Sequence, residues 1–352
     1  MLMAKPVNDH FRLGLLFAVG SAFTFGMSGP FAKSLMEAGW SPTAAVTARL
    51  ALGALVMAIF ATVVKPGWVR EAFEHKTTVV VYGLIPIAGA QLCYYNAVSH
   101  VSVGVALLLE YTAPLLVVGW LWGTTRRRPS NKTLAGVGLA VAGIMTVLGI
   151  IGDHGLAGAQ INATGVAWGL GAAVCAAFYF MMSDEVSADG SGLNSITLAA
   201  GGLIVGAAAV ALLGLSGVMP LTFTNNNVVI AGITTSWLVP VLMLGVMSTA
   251  VAYTLGISGV ARLRPSFASL VGLAEVLFAV LWAWLLVGEA MTAAQAIGGA
   301  VVLAGLALAR QGDKSGVVTA AAWPDAGVVE DFGTTRFELP PIALRAPDGS
   351  GR

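Results

Sequence analysis

Charge is the scarcest ingredient of this chain. Of its 352 residues only 10% are Asp, Glu, Lys or Arg, against 57% that are hydrophobic, and the mean hydropathy is +0.85. Soluble domains carry about 25% charged residues, so a water-soluble fold of this length could not coat its own surface. What remains is a polytopic membrane protein, in which lipid replaces the polar coat. The net charge of +1 also excludes the basic surface that nucleic acid requires, and no nucleic-acid partner is expected.

Cysteine and histidine are nearly as rare. Cys93 and Cys175 both lie in apolar runs, with no CxxC and no Cys/His cluster. They read as small polarisable packing residues, with no disulfide framework and no metal set. The four histidines, His10, His75, His100 and His154, all fall near loops. No HExxH or Ser/His/Asp arrangement sits at membrane depth, and no G-x-x-x-x-G-K-[ST] loop is present to hold a nucleotide phosphate. The chain is therefore expected to be no enzyme, to need no cofactor or metal, and to encode no ATP-driven step. Asn131-Lys-Thr133 and Asn162-Ala-Thr164 match the glycosylation pattern, but the topology below puts them on opposite faces.

Long apolar runs fill the space that charge leaves empty. A spanning helix needs about 20 largely apolar residues, and ten runs qualify: 13–31, 43–64, 77–97, 103–122, 133–151, 163–183, 194–215, 234–257, 265–287 and 292–310. Lys5 and Arg12 ahead of the first resemble a signal peptide, yet the nine runs that follow favour an uncleaved first span. The runs lack the period-2 alternation of a barrel, so an all-α bundle is expected. Basic residues collect in cytoplasmic loops. With the N terminus inside, Lys65, Arg70, Lys76, Arg126, Arg127, Arg128, Lys132, Arg262, Arg264, Arg310 and Lys314 all fall inside, and the other face receives only Lys33. Residues 1–12 and both termini are thus expected in the cytoplasm. The acidic loop 184–193 carries no weight in this rule. The tail over 315–352 has Pro324, Pro340 and Pro341 and no apolar periodicity, and reads as disordered.

The chain also resembles itself. At a shift of 162 positions Gly83 meets Gly245, Trp120 and Trp122 meet Trp282 and Trp284, and Gly136 and Gly143 meet Gly298 and Gly305. Two five-span units are expected, over 13–151 and 163–310. Five is odd, so the second inserts in the opposite sense, as an inverted repeat of the kind secondary transporters use for alternating access. Gly165 with Gly169, and Gly202 with Gly206, have the spacing that lets helices approach closely. Pro86, Pro114 and Pro240 lie inside runs and should free carbonyls or kink helices there.

RPSFASLVGLAEVLFAVLWAWLLVGEAMTAAQAIGGAVVLAGLAL over 264–308, YNAVSHVSVGVALLLEYTAPLLVVGWLW over 95–122 and TARLALGAL over 47–55 resemble the drug/metabolite transporter superfamily. The resemblance is to its EamA-type domains, present twice over about 11–310, and EYTAP is most similar to exporters of the threonine/homoserine type. It implies a small-molecule substrate, in a family whose members export amino acids, metabolites or drugs and of which some import. Efflux driven by a proton or substrate gradient, and a homodimer, are further expectations for this chain. Two departures stand out. Val276 follows Glu275 where proline is common, and Thr124-Thr125-Arg126 replaces the closing Gly-Glu found at Gly288-Glu289.

Three ionisable residues lie well inside the runs: Arg49, Glu110 and Glu275. A charge at mid-membrane costs about 2.5–3.5 kcal/mol on insertion scales, so it normally faces the bundle interior beside a partner. Counting 1.5 Å per residue from the span ends puts Arg49 and Glu110 at nearly equal depth, and the two are expected to pair. Two readings stand for the pair. It locks spans 2 and 4, or it lines a cavity and binds the charged end of a zwitterion. Glu275, without an evident cationic partner, is a candidate for proton coupling or for a neutral interhelical bond. Gln91, Tyr94, Tyr95, Asn96, Tyr111 and Tyr253 could complete a binding site or simply pack, and the tryptophans near span ends read as an interfacial belt.

Two functions therefore compete. One is a secondary transporter exporting a small polar metabolite such as an amino acid. The other is a non-transporting membrane protein, a lipid-modifying enzyme or a sensor, for which neither a nucleophile–base pair nor an attached signalling domain is found.

Overall fold

Short polar side chains decide where the apolar helices begin. Ser41 accepts from the Ala44 N–H at 3.2 Å, with Pro42 in the first turn. Ser130 accepts from Thr133 at 3.1 Å, and Asn194 from Ile196 at 2.9 Å. Each supplies an acceptor to an N–H that has no partner within its own helix.

The computed structural model describes residues 6–126, 128–148, 150, 162–188, 193–260, 271 and 273–312. The first five helices are α1 Pro6–Gly26, α2 Ser28–Glu37, α3 Pro42–Val64, α4 Trp68–Glu74 and α5 Lys76–Tyr82. A widened π segment, Gly83–Gly89, leads into α6 Ala90–Val98, then α7 Val103–Glu110, α8 Ala113–Thr125 and α9 Asn131–Val147. Next come α10 Ala163–Ala188, α11 Ser195–Leu215, and a hairpin of β1 Val228–Ile230 and β2 Ile233–Thr235. After α12 Leu238–Leu242, a second π segment Met243–Val251 precedes α13 Ala252–Val260, and α14 Ala274–Val287 and α15 Ala293–Gly312 close the fold.

Among the described residues six stretches are long and apolar enough to cross a bilayer: Arg12–Glu37, Pro42–Val64, Lys76–Val98, Val103–Thr124, Ile196–Leu215 and Leu238–Gly256. Four further apolar helices are shorter: Asn131–Val147, Ala163–Phe178, Ala274–Val287 and Ala293–Ala309. All overlap the expected runs, with corrections at the ends. The first runs on to Glu37, broken at Met27. The eighth starts only at Leu238, because Ile233–Thr235 pairs as a strand. Much of 261–272, the tail over 315–352, His154, Arg127, Arg262, Arg264 and Lys314 lie outside the described residues.

The tightest crossing is between α9 and α15. A Cβ on Gly143 would come within 2.7 Å of Gly298 O, and one on Gly298 within 2.8 Å of Gly143 O, while Gly136 and Gly305 meet in the same way. Shifting either contact by 162 positions produces the other. Packing elsewhere is exchanged similarly. α1 lies on α13 as α10 lies on α6, and α3 touches the second π segment as α11 touches the first. The equivalent helices α8 and α14 also end alike, in a left-handed residue: Arg126 at φ 56° in one, Gly288 at φ 70° in the other. The departure noted at Arg126 therefore leaves the turn unchanged. Gly169 and Gly202 do sit at close contacts, on Leu109 and Tyr82 respectively, as their spacing predicts.

One end of the bundle is strapped shut. Ser41 N–H donates to Thr222 O at 3.1 Å and Thr222 N–H to Ser41 Oγ at 3.0 Å. Trp40 Nε1–H donates to Thr224 O at 2.9 Å, and the Thr224 hydroxyl to Ala38 O at 2.8 Å. The β1–β2 turn at Ala231 and Gly232, both at positive φ, donates Ala231 N–H to Leu286 O at 2.7 Å. At the same end Glu289 forms an ion pair with Lys33 and accepts the Val103 N–H at 3.0 Å. Toward the other end Glu71 pairs with Lys65 and accepts from the Thr197 hydroxyl at 2.6 Å and the Asn194 N–H at 2.9 Å. Partial burial works against the Glu71 charge, but the bonds from Lys65, Thr197 and Asn194 outweigh it and hold this carboxyl below the ordinary value of 4.5.

Candidate functional site

Proline chemistry opens the middle of the bundle. Pro114 has no N–H to give to Glu110 O, so the helix that carries Glu110 ends there and restarts at Ala113. The junction is drawn tight, with Thr112 N–H on Leu109 O at 3.0 Å and the Thr112 hydroxyl on the same carbonyl at 2.7 Å. Pro86 likewise lies inside the first π segment. Pro240 behaves differently. It occupies the first turn of α12, where a missing N–H costs nothing, and the second π segment starts three residues later.

These breaks surround a cavity of about 120 Å³. At roughly 10–15 Å³ per water-sized volume, it holds on the order of ten such volumes, the scale of a small metabolite. Arg49, Gln91, Glu110, Tyr111, Tyr253 and Glu275, all singled out from the sequence, line it. Ser28, Tyr82, Pro86 and Tyr94 also face it.

Arg49 is the best-held of these groups and is 2% exposed. Its Nε donates to the Thr249 hydroxyl at 3.2 Å, and Nη2 to Ser248 O at 3.1 Å. Nη1 donates to Gln91 Oε1 at 2.6 Å, to the Tyr95 hydroxyl at 3.1 Å and to Ser28 Oγ. The Thr249 hydroxyl in turn donates to Leu244 O, five residues back, inside the π segment. The widened turn therefore supplies two of the acceptors that hold Arg49. Of the guanidinium's five N–H donors, one on Nη2 has no partner among the described residues.

The expected Arg49–Glu110 ion pair does not form. The ion pairs among the described residues are Lys33–Glu289, Lys65–Glu71 and Arg70–Glu74. Neutral acceptors from three other membrane segments take the guanidinium instead, and equal depth was not enough to bring the two charges together. Arg49 and both carboxylates still share one cavity, close enough to feel one another's field. Glu275 sits in the first turn of α14, at that helix's positive end, and Oε2 accepts the Tyr111 hydroxyl at 2.9 Å. An interhelical bond, one of the two roles open to Glu275, thus has a partner in Tyr111.

Two sequence candidates stand back from the cavity. Tyr95 is fully buried behind Arg49 and holds it in place. Asn96 donates to Leu92 O of its own helix at 2.7 Å, a packing role. Ser28, Ser248 and Thr249 were not foreseen. For Ser28 a signal existed, since Ser28-Gly29-Pro30 inside an apolar run marks a break where a hydroxyl can face inward. Trp120, Trp122 and Trp284 are exposed as a belt would be, whereas Trp282 turns inward and donates to Phe23 O at 3.2 Å.

Chemically the site offers one cation short of an acceptor, two carboxylates and several hydroxyls, in a small space within apolar helices. It can bind a small solute carrying both signs of charge. Residues 12–149 and 163–311 each match the EamA-like transporter family. The threonine/homoserine exporter RhtA of Salmonella typhimurium (strain SL1344) is 31% identical, covering 78% of this chain and 83% of the exporter. RhtA of Escherichia coli (strain K12) is 30% identical, covering 78% and 84%. An uncharacterized inner membrane transporter, YicL of Salmonella typhimurium (strain LT2), is 22% identical, covering 84% and 95%. One solved crystal structure superposes with a TM-score of 0.56 at 20% identity, covering 84% of this chain and 96% of its own, a likeness of fold alone.

Proposed function

Because this chain belongs to the EamA-like transporter family, we propose that it exports a small zwitterionic amino acid of the threonine/homoserine kind. The chain is a multi-pass membrane protein of a transporter family; substrate, direction and mechanism are our reading. The observation that carries it is one small cavity lined by Arg49, which keeps an Nη2 donor without a partner among the described residues, and by Glu110 and Glu275. A substrate carboxylate takes that donor, and a substrate ammonium takes Glu110, whose carboxylate has no hydrogen bond among the described residues. The names of the RhtA relatives support the same substrate class.

Transport proceeds by alternating access between two five-helix units, residues 13–151 and 163–310, inserted in opposite senses with both termini cytoplasmic. The exchanged packing and the paired glycine contacts of α9 and α15 support two equivalent units. The strapped end, with Lys33–Glu289 and the 222–231 segment, is then the outer face, closed in this conformation. A proton or substrate gradient drives the cycle, and Glu275 with Tyr111 is the candidate proton carrier.

The test is efflux from bacterial cells preloaded with threonine or homoserine as dipeptides. Expression of the chain should speed efflux of one or both, and Glu110→Gln should abolish the gain with the protein still in the membrane. Efflux equal to the empty vector for both substrates overturns the reading.

A further inference from the structure

Two thiols, one from each half of the chain, meet beside the cavity, and nothing in the transport reading uses them. Gly89 and Cys93 are one helical turn apart, and so are Gly171 and Cys175 on α10, which packs against α6. The two pairs interlock. Cys175 Sγ lies 2.9 Å from where a Cβ on Gly89 would stand, and Cys93 Sγ 3.2 Å from the same point on Gly171. Each sulfur therefore fills the notch left by the other helix's glycine. The arrangement brings the two thiols within interaction range of each other, and both are only partly buried. Gln91 and Tyr94 on one side, and Ala176 on the other, are cavity-lining neighbours of these cysteines.

We propose that Cys93 and Cys175 form a two-sulfur site for a thiophilic, two-coordinate metal ion such as Hg(II), and that filling it pins one half of the protein to the other. Thiolates are soft ligands and select soft ions. No group of three or more His, Cys, Asp or Glu able to hold a metal is found among the described residues, so an ion that needs four ligands, such as Zn(II), is not served here. A direct disulfide requires Cα atoms about 4.4–6.8 Å apart with side chains facing. Here each cysteine faces a glycine, one turn out of step with the other cysteine, and an intervening atom suits that offset. The balanced step is two thiols plus Hg(II) giving S–Hg–S and two protons, which leave to water. No electron is transferred.

The test titrates the purified full-length protein with mercury(II) chloride and follows intact mass and free-thiol count. One equivalent should protect both thiols of the wild type. In Cys93→Ala or Cys175→Ala the ion has one sulfur only, and a monothiol competitor should strip it at a concentration lower by about 10²–10⁴-fold, the usual advantage of a second tethered ligand. Two equivalents taken up by the wild type, or equal competitor sensitivity in wild type and single variants, overturns the site. The pinning rests on the exporter reading and is read separately, in vesicles loaded with threonine. Mercury should stop efflux by the wild type and leave the Cys93→Ala/Cys175→Ala protein unaffected. Full efflux from protein carrying one bridging mercury overturns the pinning. If untreated protein moves no threonine at all, the exporter reading fails, and the titration still decides the site.

Discussion

The Tyr111 hydroxyl donates to Glu275 Oε2 at 2.9 Å, one hydrogen bond that joins the two family-matched halves across the cavity. A bond to a charged group contributes about 1.5–3 kcal/mol, which is roughly a tenfold change or more in an equilibrium constant. Tyr111→Phe should therefore lower export at least several-fold at unchanged membrane abundance. Glu275→Gln, which keeps an acceptor for Tyr111 but cannot carry a proton, should remove the dependence of export on external pH. Export by Glu275→Gln that tracks pH as the wild type does would take Glu275 out of the coupling step.

Arg49→Lys should fail where a simple charge requirement would let it succeed. Lysine is a point donor with three protons and no planar fork, and it cannot hold Thr249, Ser248, Gln91 and Tyr95 together. The expected result is loss of export with a lowered melting temperature in detergent. Wild-type export by the lysine variant would show that the fork is dispensable.

Opening of the strapped end should depend on Lys33. In a Cys93→Ala/Cys175→Ala background carrying Ala113→Cys in the cavity wall, Lys33→Ala should raise the rate at which a membrane-impermeant maleimide labels the new cysteine from outside. The pair is about one-fifth exposed, so the increase should be a few-fold. An unchanged rate argues that Lys33 and Glu289 do not govern access.

Glu71 sets a pH dependence of stability whose sign follows from its partners. Its carboxyl is held below 4.5 in the folded protein, so the stability it contributes is fully present above that value and is lost as pH falls through the lowered one. Melting in detergent should therefore show a smaller decline under acid for Glu71→Gln than for the wild type, with the variant less stable at pH 7. Parallel declines would count against this assignment.

The α9–α15 crossing should respond symmetrically. Gly143→Val and Gly305→Val place atoms against carbonyls related by the 162-position shift, Gly298 O and Gly136 O, and the two should lower the melting temperature by similar amounts. A large effect from one and none from the other would contradict the equivalence of the halves.

Most of the fold was legible because lipid imposes a single rule, about 20 apolar residues per crossing, and the chain obeys it with few charges to confuse the count. Seven of the nine candidate residues line the cavity for a related reason: polar groups in such runs have nowhere to face but inward. The Arg49–Glu110 pairing was misread because depth along a helix says nothing of azimuth, and because a π turn around Ser248 and Thr249 supplies competing acceptors that no hydropathy pattern records. Of the two roles open to Asn96 the structure shows packing, because a helix carbonyl one turn back is within reach of such a side chain. The start of the eighth span was misplaced because Thr234, Thr235 and Ser236 are polar but uncharged, so no charge marks where the strand ends and the helix begins.

The reciprocal bonds between Ser41 and Thr222, with Trp40 and Ala231 fastened beside them, form a clasp of several bonds that must part together. Under the proposed export reading, with this end facing outward, solute outside meets that clasp while cargo from within has only to settle against Arg49, and the protein would rest as a check valve against return of its product.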